Sequence, residues 1–235
     1  METVVITDGK YRSSIAAARA LGRAGYQVVV TQTRKDAALE PPVFTSRFVA
    51  QGRWIEGAAA DPDYPDRLLA LLGEYDRPVL FCVGAVTLNA VAQQRERFAQ
   101  VCSFLIAPPE VLDQLNDKET VHTRCEALGI PVPREYTGEP DSYPVVIKPH
   151  CGEKFGLKAR DRYRVARDRQ EYEAALAAMG AYDPSPIVQQ KVDGPGAGAS
   201  LLLDRDSRLV GAICHRRIRE YPAAGGASTC CESFY

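Results

Sequence analysis

The sequence predicts an α/β protein in which a doubly wound parallel sheet is followed by an α+β region. Two observations carry the prediction. Short unbroken apolar runs, Val4-Val5-Ile6 and Val79-Leu80-Phe81-Cys82-Val83 among them, read as strands covered on both faces. Between such runs lie segments whose apolar residues recur at helical spacing, and strands alternating with helices build an open parallel sheet.

Taken in order, the first strand ends at Asp8-Gly9, and a helix follows over 13–24 with Ile15, Ala18, Leu21 and Ala24 on one face. Gly25 stands where a left-handed cap belongs, and Gln27-Val28-Val29-Val30 resumes a strand, completing a βαβ unit. Phe48-Val49-Ala50 reads as a third strand, 64–75 as a helix with Leu68, Leu69 and Leu72 inward, and 79–83 as a buried strand. A helix over 88–101 and a strand at Phe104-Leu105-Ile106 lead to Pro108-Pro109. The first turn, TDGKYRSS, has one glycine where a dinucleotide fingerprint needs three, and no acid closes the second strand at Gln32, which argues against NAD or FAD. Asp8, Gly9 and Ser13 are candidates only as residues at a strand's carboxyl end.

Composition limits the partners. The 235 residues carry 29 basic and 30 acidic side chains, a net charge of -1, so no bulk field draws the chain to nucleic acid or to an anionic membrane, and any anion site is local. The 7 cysteines have no zinc-type spacing and read as reduced thiols. METVVITDGK has no signal-peptide pattern and no apolar run approaches membrane-spanning length, so a soluble, cytoplasmic protein is expected.

In the central segment, Asn116 and Glu119 form a variant capping box for a helix that carries Val121, Cys125 and Leu128 on one face and stops at Gly129-Ile130-Pro131. Lys118 falls in its first turn, where a cation opposes the helix dipole unless it meets an anion; a solvated surface lysine is the other reading. Pro144-Val145-Val146-Ile147 is a strand ended by Lys148 and Pro149. Alternation puts Lys148 on the face of Val146, and a lysine drawn toward the interior needs a negative partner. The loop Cys151-Gly152-Glu153-Lys154-Phe155-Gly156 offers glycine-freed N–H groups and a compact cation, as a phosphate nest does. Arg162 to Val165 reads as a returning strand, and Asp168 with Glu171 caps a helix carrying Tyr172, Leu176 and Met179. A linker at 182–186 precedes Ile187-Val188-Gln189-Gln190-Lys191-Val192. Asp204-Arg205-Asp206-Ser207 reads as a hairpin turn.

Four stretches in order, LNDKETVHTRCEALGIPVP, YPVVIKPHCGEKFGL, IVQQKVDGPGAGASLLLD and HRRIREYPAAGG, resemble the ATP-grasp superfamily, in particular the ligases similar to the carbamoyl-phosphate synthase large chain. The resemblance implies a pre-ATP-grasp domain over 1–109, a first lobe with its phosphate flap over 110–186, and the start of a second lobe over 187–235, a grasp domain that is incomplete here. It implies ATP and Mg2+, a small carboxylate substrate, and activation of that carboxylate as an acyl phosphate for an amine or other nucleophile. Lys118 and Lys148 match the cations on the phosphates, and Cys151, Gly152, Glu153, Lys154 and Gly156 match the flap. Gln189, Gln190, Lys191 and Val192 match the adenine-reading hinge, with Val192 donating its N–H. His215, Arg216 and Arg217 match the basic stretch at the acyl phosphate, and Gly225-Gly226 a substrate loop. Two departures stand out: glutamines replace the hinge acid, and Gly196 stands where the ribose acid often does. Asp204, Asp206, Glu220 and Glu232 do not reproduce the family's metal ligands, so the ligand set is unknown, and the expectation is either a shortened chain or one that a second copy or another subunit completes. The alternatives are an ATP-binding protein without turnover and a nucleotide-free module.

Overall fold

The computed structural model describes residues 1–150, 157, 162–204, 206–221 and 227–234. The chain divides into two units, Met1–Gln114 and Leu115–Tyr235.

The first unit is built on a parallel sheet. Its strands β1 (Thr3–Ile6), β2 (Gln27–Thr33), β3 (Gln51–Ile55) and β4 (Val79–Phe81) lie in the order β3-β2-β1-β4, with every neighbouring pair parallel. Helix α1 (Arg12–Arg23) joins β1 to β2, and α2 (Tyr64–Leu72) lies between β3 and β4. Val5, Val29, Leu80, Tyr64, Leu68 and Leu72 form the core on one side, and Val4, Ile6, Val28, Val30 and Ala18 on the other, which is why these strands carry apolar residues without alternation. Gly25 holds φ 91, the left-handed geometry expected of it.

Three sequence-based boundaries move. The third strand is Gln51–Ile55 and not Phe48-Val49-Ala50, because Val49 N–H turns back to the Ser46 carbonyl at 2.9 Å and pairing with β2 takes hold only beyond it. The helix expected over 88–101 is two, α3 (Ala85–Gln93) and α4 (Arg95–Val101), broken at Gln94, which leaves helical geometry at φ -118 and ψ 30. The run Phe104-Leu105-Ile106 forms no strand. Ser103 makes a single bridge to Val79, the Ile106 carbonyl is taken by Arg95 Nη1 at 2.5 Å, and Pro108-Pro109 have no N–H for a ladder.

At the carboxyl end of β1, Asp8 sits at φ 60 and is buried. Its Oδ2 accepts from Thr7 Oγ1 (2.5 Å), Gly84 N (2.8 Å) and Thr87 Oγ1 (2.6 Å). The carboxylate thus ties β1 to the start of α3. The Gly9 N–H is taken by the Thr31 carbonyl at 3.0 Å.

Helix α5 (Pro109–Asn116) spans the boundary between the units, and α6 (Lys118–Ala127) lies inside the second. The cap of α6 is Asp117 and not Asn116: its Oδ1 accepts from Thr120 N at 2.7 Å, since Asn116 is still helical in α5. Ile130 N–H returns to Cys125 O (2.9 Å) and Gly129 N–H to Glu126 O (2.9 Å), closing the helix at a glycine with φ 69. Strands β5 (Val145–Lys148), β6 (Arg164–Ala166) and β7 (Ile187–Gln190) form an antiparallel sheet in the order β6-β5-β7. Helix α7 (Arg169–Gly180), capped by Asp168 on Glu171 N at 2.8 Å, packs on one face through Tyr172, Ala175 and Met179 against Val145, Ile147 and Val188. Strands β8 (Ala197–Leu203), β9 (Leu209–Tyr221) and β10 (Ala227–Phe234) form a second antiparallel sheet in the order β10-β9-β8. The β8–β9 turn is closed by Asp204, whose Oδ1 accepts from Asp206 N and Arg208 N, both at 2.9 Å. No described helix is long and apolar enough to cross a membrane.

Candidate functional site: a two-lysine cleft in the second unit

Burial in β5 alternates, Val145 and Ile147 inside and Val146 and Lys148 half-buried, so Lys148 leaves the sheet on the face away from α7. Over that face lies α6. Its residues Lys118, Val121, His122 and Cys125, at helical neighbour spacing, meet Lys148 of β5 and Gln189 of β7 around a cleft of about 290 Å3. Val132 and Pro133 complete an apolar wall.

The charges in this cleft are unbalanced. Lys118 Nζ donates to the Pro149 carbonyl at 2.9 Å and the His150 carbonyl at 3.0 Å, which fixes the chain leaving β5 against the start of α6. Lys148 makes no hydrogen bond or ion pair with the described residues. Burial first, and then the neighbouring Lys118 ammonium, pull its pKa below the ordinary lysine value, while Glu135 pulls the other way. An anion in the cleft would relieve both causes of strain on the Lys148 charge.

Beneath the cleft Gln189 is buried, its amide nitrogen 2.6 Å from Glu135 Oε1 and 3.2 Å from His122 Nδ1. Glu126 lies 3.4 Å from the other ring nitrogen of His122. Beside it, His150 lies between two carboxylates, Nδ1 at 3.0 Å from Asp183 and Nε2 at 3.1 Å from Glu119. Burial disfavours the His150 cation, but the hydrogen bond and charge of Asp183, with Glu119 and Asp117, outweigh it and raise the pKa. Burial likewise acts to raise Asp183, and hydrogen bonds from His150 N–H, its ring and Ser185 N–H turn the result downward.

Of the residues singled out from sequence, Lys118, Lys148 and Gln189 share the cleft. Gln190 and Lys191 continue beyond it, Gln190 N–H on Arg134 O (2.8 Å), Lys191 N–H on Pro144 O (3.2 Å) and the Lys191 ammonium on Asp193. Val192 is exposed and its N–H meets no acceptor among the described residues. Cys151, Gly152, Glu153, Lys154 and Gly156, and the Gly225-Gly226 loop, lie outside the described residues. His215, Arg216 and Arg217 are on β9 and do not line the cleft. Alternation puts Arg216, which is 3.4 Å from Glu232 and over the Phe234 ring, opposite the face of His215 and Arg217. Arg217 pairs with Glu220 at 3.4 Å, and His215 lies over Gly198, where a Cβ would collide with its ring. Sequence reading missed His122, Glu135, His150 and Asp183. The spacing of Lys118 and His122, four apart on one helix, was a usable signal for His122; the others are joined only by the fold.

Mg2+ does not fit the described acids. No cluster of three or more potential ligands occurs among the described residues, Asp204 is spent in its turn, and Glu220 and Glu232 face arginines.

No protein-family model matches the chain. In sequence it is similar to the vancomycin B-type resistance protein VanB of Enterococcus faecalis, 27% identical over 111 residues, which are 43% of this chain and 31% of VanB. In structure it is similar to the biotin carboxylase domain of Hydrogenobacter thermophilus 2-oxoglutarate carboxylase, solved with MgADP, ADP and bicarbonate (TM-score 0.60, 14% identity, 91% of this chain and 50% of that one). It is also similar to the D-alanine–D-alanine ligase of Bacillus anthracis (TM-score 0.55, 14% identity, 100% and 71%). The chain thus spans 31% of the length of VanB and 50% of the carboxylase domain. At such identities the likeness establishes architecture: the chain is built on the ATP-grasp fold.

Proposed function

We propose that the two-lysine cleft binds the phosphate chain of ATP, and that the protein is an ATP-dependent ligase of the kind that joins a carboxylate to an amine or another nucleophile. The observation that carries this reading is Lys148, a half-buried ammonium unpaired among the described residues and facing a second ammonium across one cleft. Phosphoryl transfer asks a protein for positioning and charge neutralisation, which such a pair supplies. A carboxylate oxygen attacks the γ-phosphorus and ADP leaves; the nucleophile then attacks the acyl carbon and phosphate leaves. Lys118 and Lys148 hold the phosphates through the first displacement, and 189–192 meets the adenine. From β9 one face serves, so His215 and Arg217, or Arg216, approach the acyl phosphate but not all three. The resemblance of the four sequence stretches to ligases similar to the carbamoyl-phosphate synthase large chain supports this chemistry. A second reading, ATP binding without turnover, is favoured by the lack of a magnesium-type cluster among the described residues.

Calorimetric titration with ATP and magnesium, joined to ADP release over a panel of carboxylates and amines, separates these. Saturable binding that weakens at least about tenfold, or about 1.4 kcal/mol, in Lys118→Ala and in Lys148→Ala is expected. ADP release that requires a carboxylate supports the ligase; binding with no release supports the second reading. Wild-type protein that does not bind ATP sinks both.

A further inference from the structure

Gln189 is 6% exposed, and its two amide ends have different fates. The end 2.6 Å from Glu135 Oε1 must be the NH2 group, because a carboxylate accepts hydrogen bonds and offers none; the reverse orientation would press a carbonyl oxygen on a carboxylate oxygen. The same NH2 lies 3.2 Å from His122 Nδ1. The amide oxygen has no hydrogen bond among the described residues, and Gln189 lines the cleft that holds Lys118 and Lys148. A nearly buried acceptor is therefore left open toward whatever fills that cleft.

Glu135 is itself held in place. Its backbone bridges Gln189, and the flanking bonds Tyr136 N–H to Val188 O (2.9 Å) and Gln190 N–H to Arg134 O (2.8 Å) bind the segment to the edge of β7. The backbone that carries the carboxylate cannot withdraw without breaking that edge. We propose that Glu135 is a positioning residue for nucleotide choice: it locks the Gln189 amide with its oxygen toward the cleft, so that the cleft accepts a purine presenting an amino group and rejects one presenting a carbonyl oxygen. This rests on the ATP reading above and adds to it the residue that sets the base preference. A 6-oxo purine would bring its oxygen against the Gln189 oxygen, two acceptors with no proton between them, and a site built around a hydrogen bond discriminates strongly against a ligand that cannot complete it.

The test is competitive titration of ATP against inosine triphosphate, which differ in the 6-substituent and in the proton that the 6-oxo base carries on N1, using wild-type protein and the Glu135→Gln variant, so that the change in ratio on substitution reports the Gln189 contact. Wild type should favour ATP by about tenfold or more. The amide of Glu135→Gln can meet either end of Gln189, so Gln189 is free to rotate, and the preference should fall by at least about threefold, mainly through a gain in inosine triphosphate affinity. Glu135→Ala, which removes the carboxylate altogether, is the second variant and should lose the preference as well. A merely structural role would weaken both nucleotides together, so a ratio unchanged in a folded variant overturns the proposal. Wild type that binds ATP without preferring it overturns this proposal and leaves the ATP reading standing; wild type that binds neither nucleotide overturns both.

Discussion

His150 shows how one side chain can fasten several segments at once. Its ring meets Asp183 at 3.0 Å and Glu119 at 3.1 Å, its N–H donates to Asp183 at 2.9 Å, and its carbonyl accepts from Lys118 at 3.0 Å. The doubly protonated ring donates to both carboxylates, so the raised His150 pKa means stability that is complete below the ordinary value of 6.5 and lost as pH rises through the folded-state value. The depressed Asp183 works from the other side: its contribution is present above 3.8 and is lost as pH falls through its folded-state value. The pair is therefore strongest between the two. In urea unfolding, the deficit of His150→Asn relative to wild type should be on the order of 1 kcal/mol near pH ~6 and should shrink toward pH ~9. A deficit that stays constant or grows with pH would mean that the ring is not held as a cation. Lys148 is the opposite case, a charge whose surroundings disfavour it, and such groups mark candidate sites because the fold alone does not explain them.

Helix α6 carries Lys118 at its first position, and the Asp117 cap sets where that position is. The Thr120 backbone N–H, then its hydroxyl, bind the Asp117 carboxylate and hold its pKa below the ordinary value. Asp117→Ala should cost about 1 kcal/mol in chemical unfolding, while Asp117→Ser should recover most of it; equal stability of the three proteins would show that the cap carries no load. Elements of this kind were legible from sequence to the extent that their determinants are local. The alternation through Lys148, the cap at Asp168, the stop at Gly129 and the turn at Asp204 all rest on residues a few positions apart. The third strand was misread because Val49 has the right propensity while its N–H is spent on Ser46, and the single helix over 88–101 because nothing in the composition marks the break at Gln94. Within the site, Lys118 and Lys148 could be named in advance, but Glu135 and His122 reach Gln189 only through the pairing of 135 with β7 and the docking of α6, contacts that no local pattern encodes.

At the scale of the whole molecule, the two sheets of the second unit differ in what covers them. The β6-β5-β7 sheet buries Val145, Ile147 and Val188 beneath α7. The β10-β9-β8 sheet has no such cover among the described residues, and no residue of β8 or β9 is fully buried. Alternation puts Leu201 on one face and Leu202 with Ile213 on the other, and they are 61%, 54% and 44% exposed. Leu209 and Val210 add exposed apolar surface near the turn. The outer edges of β8 and β10 also lack a described partner strand. Apolar area on both faces and unpaired backbone at two edges are what drives self-association in water. Light scattering should accordingly show the average mass of this chain rising with concentration. Replacing Leu202 and Ile213 together by threonine, which keeps β propensity but adds a hydroxyl, should lower that rise without changing the far-ultraviolet circular dichroism. A monodisperse monomer across the concentration range would mean that this sheet is satisfied as it stands, and the apolar faces would then need a role other than association.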